Sequence, residues 1–333
     1  LAGLNRGDQL SNEASLKYFL LGSLASCIFV YGIALMYVSL SIIGVYEISF
    51  AISIIGPENV PLTTFVGLIL IIVGLLFKVA AAPFQAWAPD VYQGSPTGYV
   101  GYMAATAKVA SFIVLARLCI VSLGIVMDKF ELFFSAIVIL SIVIGSLFAT
   151  VQTDMKRLIA YSGVVQSGFI LSGMTSGING TSASLFYLAA YVLQLIGIFL
   201  IFSAISGELT SDFSMNNLSG LFIENKFLSI CFSIFMLGLA GLPLTSGFIS
   251  KFILITNLWS YEKYILVFAL MVSTVAGFYF YLKPIWIATI DKPENGVAKI
   301  SLQLNEKISI GTLAAVTILL GVFPNVLINI SRW

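Results

Sequence analysis

Residues 75–96 read LLFKVAAAPFQAWAPDVYQGSP. The stretch continues an apolar run that begins near Leu62, sets Lys78 inside it, and offers no acidic residue before Asp90. Five residues after the lysine stands Pro83. Proline has no N–H to donate, so Pro83 leaves the carbonyl of Val79 without its helical partner. An ammonium one turn before a broken helix, at membrane depth, is a costly arrangement that calls for a purpose.

The membrane setting follows from composition. Of 333 residues, 59% are hydrophobic and 9% are charged, and the mean hydropathy is +1.04. A soluble domain carries about a quarter charged residues, so this chain is solvated mainly by lipid and crosses the bilayer many times. A net charge of +1 gives no signature for nucleic acid. The chain has no histidine, which removes the commonest haem, zinc and copper ligand and the usual proton shuttle near neutral pH. Cys27, Cys119 and Cys231 lie far apart in or beside apolar runs and read as small buried hydrophobes, because clusters and zinc sites need grouped thiolates. No cofactor is expected in this chain. It begins LAGLNRGDQLSNEA, which lacks the basic start and apolar core of a signal peptide and reads as the tail of a helix followed by a loop. The sequence reads as a piece of a longer protein.

A spanning helix needs about 20 mostly apolar residues. Nine segments qualify within one membrane domain covering 1–333: 16–38, 62–87, 97–119, 132–152, 157–175, 182–206, 228–258, 262–290 and 309–331. The expected fold is an all-α polytopic helix bundle. The second and seventh spans are overlong and carry prolines. In GLAGLPLTSG, Pro243 frees the carbonyl of Leu239 as Pro83 frees that of Val79. Such breaks persist only where protein or a water-filled cavity satisfies the freed groups, and transporters place ion sites at them. The two broken spans run in opposite directions, as inverted repeats require.

Lysine and arginine outside the spans number eight on the side of the N-terminal segment (Arg6, Lys156, Arg157, Lys226, Lys283, Lys292, Lys299, Lys307) and four on the other (Arg117, Lys129, Lys263, Arg332). That bias places the N-terminal segment in the cytoplasm, or in the matrix or stroma of an organelle. The charged stretch KPENGVAKISLQLNEK is expected to lie at the interface.

Sixteen basic residues less those twelve leaves Lys17, Lys78, Lys108 and Lys251. All fifteen acids fall in loops or at span ends, so none sits at the centre of a span. A lysine at the bilayer centre costs about 2.5–3.5 kcal/mol on insertion scales. These four are therefore expected to face the bundle interior, water, or a carboxylate from outside the chain. Lys17 has a plainer option, an i,i+4 pair with Glu13 or snorkelling to the surface. Burial disfavours the charged form of an amine, so a file of such lysines linked by water makes a proton relay. Thr106, Ser111, Tyr161, Ser162, Gln166, Ser167, Gln194, Thr245 and Ser250 could support that water, though each also suits an ordinary interhelical hydrogen bond. Moving a proton against 100 mV takes about 2.3 kcal/mol. A change in proton affinity of under about two pKa units, at 1.36 kcal/mol each, suffices.

The tracts FKVAAAPFQAWAPDVYQGSPT (77–97), GYMAATAKVASFIVLARL (101–118), SNEASLKYFLLGSLASCIFVYGIALMY (11–37), QTDMKRLIAYSGVVQSGF (152–169) and LAGLPLTSGFISKF (239–252) resemble the antiporter-like membrane subunits of respiratory complex I (NADH:quinone oxidoreductase). They are most similar to the branch called subunit N, or subunit 2. The likeness runs in order along nearly the whole chain. It implies fourteen helices in a complete protein, with the last nine here, and two inverted five-helix units broken at Pro83 and Pro243. The family's proton-path lysines fall on Lys17, Lys78, Lys108 and Lys251, the same four that the charge census isolates. The family also has a glutamate upstream of Leu1 that pairs with the lysine matching Lys78. Many relatives carry histidine where Gln166 stands, and glutamine cannot titrate.

The resemblance implies a proton-translocating membrane-arm subunit without a redox site of its own. Its partners would be the other membrane-arm subunits and the lipid bilayer, with quinone and NADH bound elsewhere and no nucleic acid. Its place would be a bacterial inner membrane, or an organelle inner or thylakoid membrane. The alternatives are a subunit of a multisubunit sodium/proton antiporter, a purely structural scaffold in the same arm, and a small-solute carrier.

Overall fold

In a computed structural model of the chain, residues 2–5, 7–206, 213–291 and 302–324 are described. The described residues are mostly helical, and the only β pairing among them is one isolated bridge between Asp154 and Ser214. In order, the helices are α1 (Gln9–Leu40), α2 (Val45–Ile55), α3 (Leu62–Lys78), α4 (Trp87–Gly94), α5 (Thr97–Arg117), α6 (Met127–Thr150), α7 (Met155–Gly173), α8 (Gly177–Ser206), α9 (Leu221–Glu224), α10 (Lys226–Ala240), α11 (Ser246–Ser260), α12 (Tyr264–Thr289) and α13 (Leu304–Val322). Six of them are long and apolar enough to cross a membrane.

The two overlong spans are interrupted where the sequence places the breaks, whereas Pro284 lies within an unbroken α12. The second divides into α3 and α4, with Ala80 in a left-handed conformation (φ 56°) between them. The seventh divides into α10 and α11. Gly241, at φ 87°, ends α10 in the left-handed region, which costs glycine least. Thr245 then starts α11, its hydroxyl accepting from the Phe248 amide at 3.4 Å.

Several boundaries differ from the sequence reading. The first helix starts at Gln9 rather than 16, because the Asp8 carboxylate accepts from the Leu10 amide and caps a polar first turn that hydropathy passes over. The short helix α2 escapes a search tuned to full spans. The last span was set at 309–331; its helix instead covers Leu304–Val322, started by reciprocal capping between Gln303 and Glu306. Residues 325–331 lie outside the described part, as do Arg6, Lys292, Lys299, Arg332 and most of the charged stretch before α13. Cys27 is exposed on α1, not buried, whereas Cys119 and Cys231 are buried as expected.

α7 is the axis of the bundle. Every one of its residues except Arg157 and Tyr161 is buried. It carries Ser162, Ser167, Ser172 and three glycines, small residues that let neighbouring backbones approach. A Cβ on Gly145 of α6 would stand 2.9 Å from the Val165 amide and 3.0 Å from the Tyr161 carbonyl oxygen. α1 and α3 cross as closely: a Cβ on Gly32 would lie 2.8 Å from the Gly67 carbonyl oxygen. The outer face of the bundle is apolar, with Phe19, Phe50, Leu132 and Val275 all exposed, as a lipid-facing surface requires.

Candidate functional site: two buried lysines at two helix breaks

The first break is closed from α7. The Val79 carbonyl, freed by Pro83, accepts from the Ser167 hydroxyl at 2.8 Å. From α6, the Ser141 hydroxyl accepts from the Ala82 amide at 2.9 Å. The Trp87 indole donates back across the break to the Phe77 carbonyl at 2.9 Å. Lys108, from the middle of α5, is 2% exposed and converges on the same part of α7. Its Nζ donates to the Gly163 carbonyl at 2.9 Å, with the Tyr191 hydroxyl at 3.4 Å and Ser167 at 3.5 Å. The Tyr191 ring also faces the ammonium, 5.3 Å from its centroid, a favourable setting for a desolvated cation.

The second break contains its own lysine. Lys251, 6% exposed, reaches back from α11 and donates to the carbonyls of Leu239 at 3.1 Å and Ala240 at 2.9 Å. The Leu239 oxygen is the one that Pro243 was expected to free, so the break supplies the ammonium with its acceptors. The Phe169 ring lies 5.0 Å from the same nitrogen.

Gln166, one turn along α7 from Gly163, joins the two lysine sites. Its amide nitrogen donates to Leu239 O at 3.3 Å and to the Tyr281 hydroxyl at 2.8 Å, while its oxygen accepts from the Tyr187 hydroxyl. A cavity opens beside it, lined by Gln166, Tyr187, Tyr191, Gln194, Leu239 and Ser250, with about 10 Å³ available to a water's centre. That is about the room one water molecule needs, with polar groups to receive it.

The remaining sequence candidates are placed less uniformly. Ser250 is buried at the cavity and donates to Ser246 and Gly247 carbonyls at 2.9 and 3.0 Å. Thr106 is exposed and bonds its own helix at Tyr102, and Tyr161 stacks on Phe148, so neither joins this group. Lys78 is the last residue of α3 and is exposed, its ammonium 5.8 Å from the Phe29 ring of α1. Within this chain it does not face the bundle interior. Lys17 keeps 37% of its side chain exposed, and its ammonium lies 2.5 Å from both Glu13 and Asp90.

Sequence reasoning passed over several groups. Lys156, counted among the loop cations, is fully buried and donates to the Ser95 carbonyl at 3.0 Å. Asp90, read as a loop acid, meets Lys17 across 73 residues of chain and thereby supplies a carboxylate from within the chain. Tyr187, Tyr191 and Tyr281 were not singled out. The i,i+4 spacing of the first two, which puts both hydroxyls on one face of an apolar helix, was the available signal. Among the described residues, no three His, Cys, Asp or Glu side chains gather as a metal site.

Comparison with known proteins agrees with this architecture. Residues 1–277 match the family model described as NADH:quinone oxidoreductase/Mrp antiporter, TM. The chain is 35% identical to the chloroplastic NAD(P)H-quinone oxidoreductase subunit 2 of Mesostigma viride, over 100% of this chain and 68% of that protein. It is 36% identical to NADH-quinone oxidoreductase subunit N of Mycobacterium bovis, over 99% of this chain and 63% of that protein. The chain thus spans about two thirds of the length of these relatives. Among solved structures, respiratory complex I from Thermus thermophilus aligns with a TM-score of 0.83 at 29% identity, over 98% of this chain and 70% of that one. An archaeal membrane-bound sulfane sulfur reductase aligns at 0.88 and 25% identity, over 99% and 66%. A chain of the Mrp complex from Dietzia shares the fold, at 0.85 and 20% identity over 97% and 67%. With proline-broken helices, multi-pass apolar helices and a family match over most of its length, the chain belongs to the NADH:quinone oxidoreductase/Mrp antiporter transmembrane family.

Proposed function

We propose that this chain is a proton-translocating membrane-arm subunit of an NADH:quinone oxidoreductase, without a redox site of its own. The observation that carries the reading is the pair of buried ammonium groups: Lys251 on the carbonyls of the second break and facing Phe169 of α7, and Lys108 on α7 beside Ser167, whose hydroxyl closes the first break. Each amine has acceptors but no carboxylate among its recorded partners, so its proton is held by neutral oxygens. A modest change in nearby charge then decides whether the proton stays. Lys108 is the central relay and Lys251 passes the proton on toward the far exit or the next subunit. Tyr187, Gln166 and a water in the adjoining cavity bridge the interval between them. Lys78, exposed beside α1, is the switch: a carboxylate brought to it raises its proton affinity, and withdrawal lowers it. Lys17 belongs to the same path at its N-terminal end. NADH, flavin, iron–sulfur clusters and quinone are bound by partner subunits, whose redox energy this chain turns into proton transfer.

The test is Lys108→Met in the assembled complex, with quinone reduction and proton uptake measured in the same vesicles. Proton transfer per electron is expected to fall while the complex remains assembled. An unchanged ratio would leave the chain a structural scaffold. Sodium-dependent exchange by the chain in isolation would instead favour an antiporter subunit.

A further inference from the structure

At the end of the bundle where α1 begins, α4 ends and α7 begins, four charged side chains meet. The Asp90 carboxylate on α4 divides its two oxygens. Oδ2 lies 2.5 Å from the Lys17 ammonium of α1, and Oδ1 accepts from the Arg157 guanidinium of α7 at 2.7 Å. The same guanidinium nitrogen donates to Gln93, one turn along α4, at 3.0 Å, and Arg157 Nε donates to Gln152 at 3.2 Å. Lys156, next to Arg157, holds the Ser95 carbonyl just past the end of α4 at 3.0 Å. Glu13, four residues before Lys17, approaches the ammonium from its own helix at 2.5 Å.

The geometry is specific in two ways. α4 is the half-helix beyond the first proline break, only eight residues long, and its own backbone does little to fix where it sits. Arginine stays charged at any physiological pH, so the Arg157 guanidinium, spread over Asp90, Gln93 and Gln152, holds Asp90 from the α7 side whatever Lys17 does. Packing is equally close: a Cβ on Gly94 would collide with the Leu10 carbonyl oxygen of α1. Lys17 therefore meets a carboxylate that is fixed from the other side.

We propose that Asp90 is a positioning residue of the proton path: pinned by Arg157, it seats the Lys17 ammonium and keeps the α4 half of the first broken helix docked between α1 and α7. The inference rests on the proton-path reading above and adds to it a counter-charge inside this chain. Asp90 neither takes nor gives the transported proton; it sets where Lys17 and the first break stand.

The test uses the assembled complex in native membranes, with proton transfer per electron as the readout and assembly checked on native gels. Asp90→Asn keeps the shape and removes the charge, and is expected to lower the ratio at least twofold. Asp90→Glu restores the charge and is expected to recover most of it, which a purely steric role would not do. If Asp90→Asn fails to assemble because Arg157 is left unpaired, the double variant Asp90→Asn/Arg157→Gln removes both members. It is expected to assemble and to show the same loss. A parental ratio in Asp90→Asn, or in the double variant, overturns the inference, as does an Asp90→Glu ratio no better than that of Asp90→Asn. Lys108→Met is run alongside. If it too pumps normally, the proton-path reading has failed; if it is impaired while Asp90→Asn is not, only the present inference has.

Discussion

Gln166 shows how much one neutral side chain does in a buried polar file. It accepts from Tyr187 and donates to Tyr281 and Leu239, so three of its four hydrogen-bonding positions are used and its amide has one sensible orientation. Replacing it with leucine takes the recorded acceptor from the Tyr187 hydroxyl and one partner from Tyr281, at about 1–3 kcal/mol for a buried polar group left unpaired. Gln166→Leu is expected to lower the thermal unfolding temperature in detergent and to slow proton transfer as well. Gln166→His introduces a group that can titrate where glutamine cannot. The neutral ring still offers one donor and one acceptor. On protonation both nitrogens become donors, Tyr187 loses its acceptor, and a cation faces Lys251. The proton-transfer rate of Gln166→His should therefore fall as the ring becomes protonated at acid pH, and the parent should show no such step; a pH series on sealed vesicles reads the difference.

At the scale of helices, the sequence was most legible where chemistry forbids continuity. Pro83 and Pro243 marked both breaks and named the two carbonyls left over, Val79 and Leu239, which are satisfied by Ser167 and by Lys251 with Gln166. The partners themselves were not readable, because they arrive from other helices. Ser167 lies 88 residues from Val79, and Gln166 lies 73 from Leu239. Hydropathy likewise missed α2, too short for a span, and the capped polar turn that opens α1. The element most exposed to test is the turn at Gly241. Its φ of 87° suits glycine, and a Cβ there would lie 2.9 Å from Lys251 Cδ. Gly241→Ala is expected to cost about 1–2 kcal/mol in backbone conformation and to push the Lys251 stem off its carbonyls. Lower thermal stability together with impaired proton transfer would show both effects; a fully parental variant would show that the turn has slack.

For the whole molecule, the informative contrast lies between α7 and its surroundings. A search for the most apolar segments favours α6 and α8, yet α7 is the helix buried nearly all round. Its serines, glycines and Gln166 lower its hydropathy because it faces protein and polar sites instead of lipid. The same logic explains why Lys156 was misread: a basic residue at a span end ordinarily means water, and here it means a close contact with the chain beyond α4. Lys78, expected to face the interior, water or a carboxylate from outside the chain, is exposed at the end of α3, with only the Phe29 ring recorded beside its ammonium. Close packing of α6 on α7 at Gly145 is the simplest global lever. Gly145→Val must push the two helices apart, at about 1–3 kcal/mol for overpacking. Less assembled complex and a lower unfolding temperature are expected, with proton transfer per electron in the surviving fraction reporting how far α7 has moved.

Ser167 carries a single hydroxyl hydrogen but stands 2.8 Å from two carbonyls, Gly163 and Val79. It cannot serve both at once. While Lys108 is charged and occupies Gly163, the hydrogen is free to turn toward Val79 and close the gap left by Pro83. When the amine gives up its proton, Gly163 has less of a donor and competes for that hydrogen. In the proposed relay, a rotation about one C–O bond would carry the protonation state of Lys108 to the edge of the first discontinuity, with no backbone displacement required.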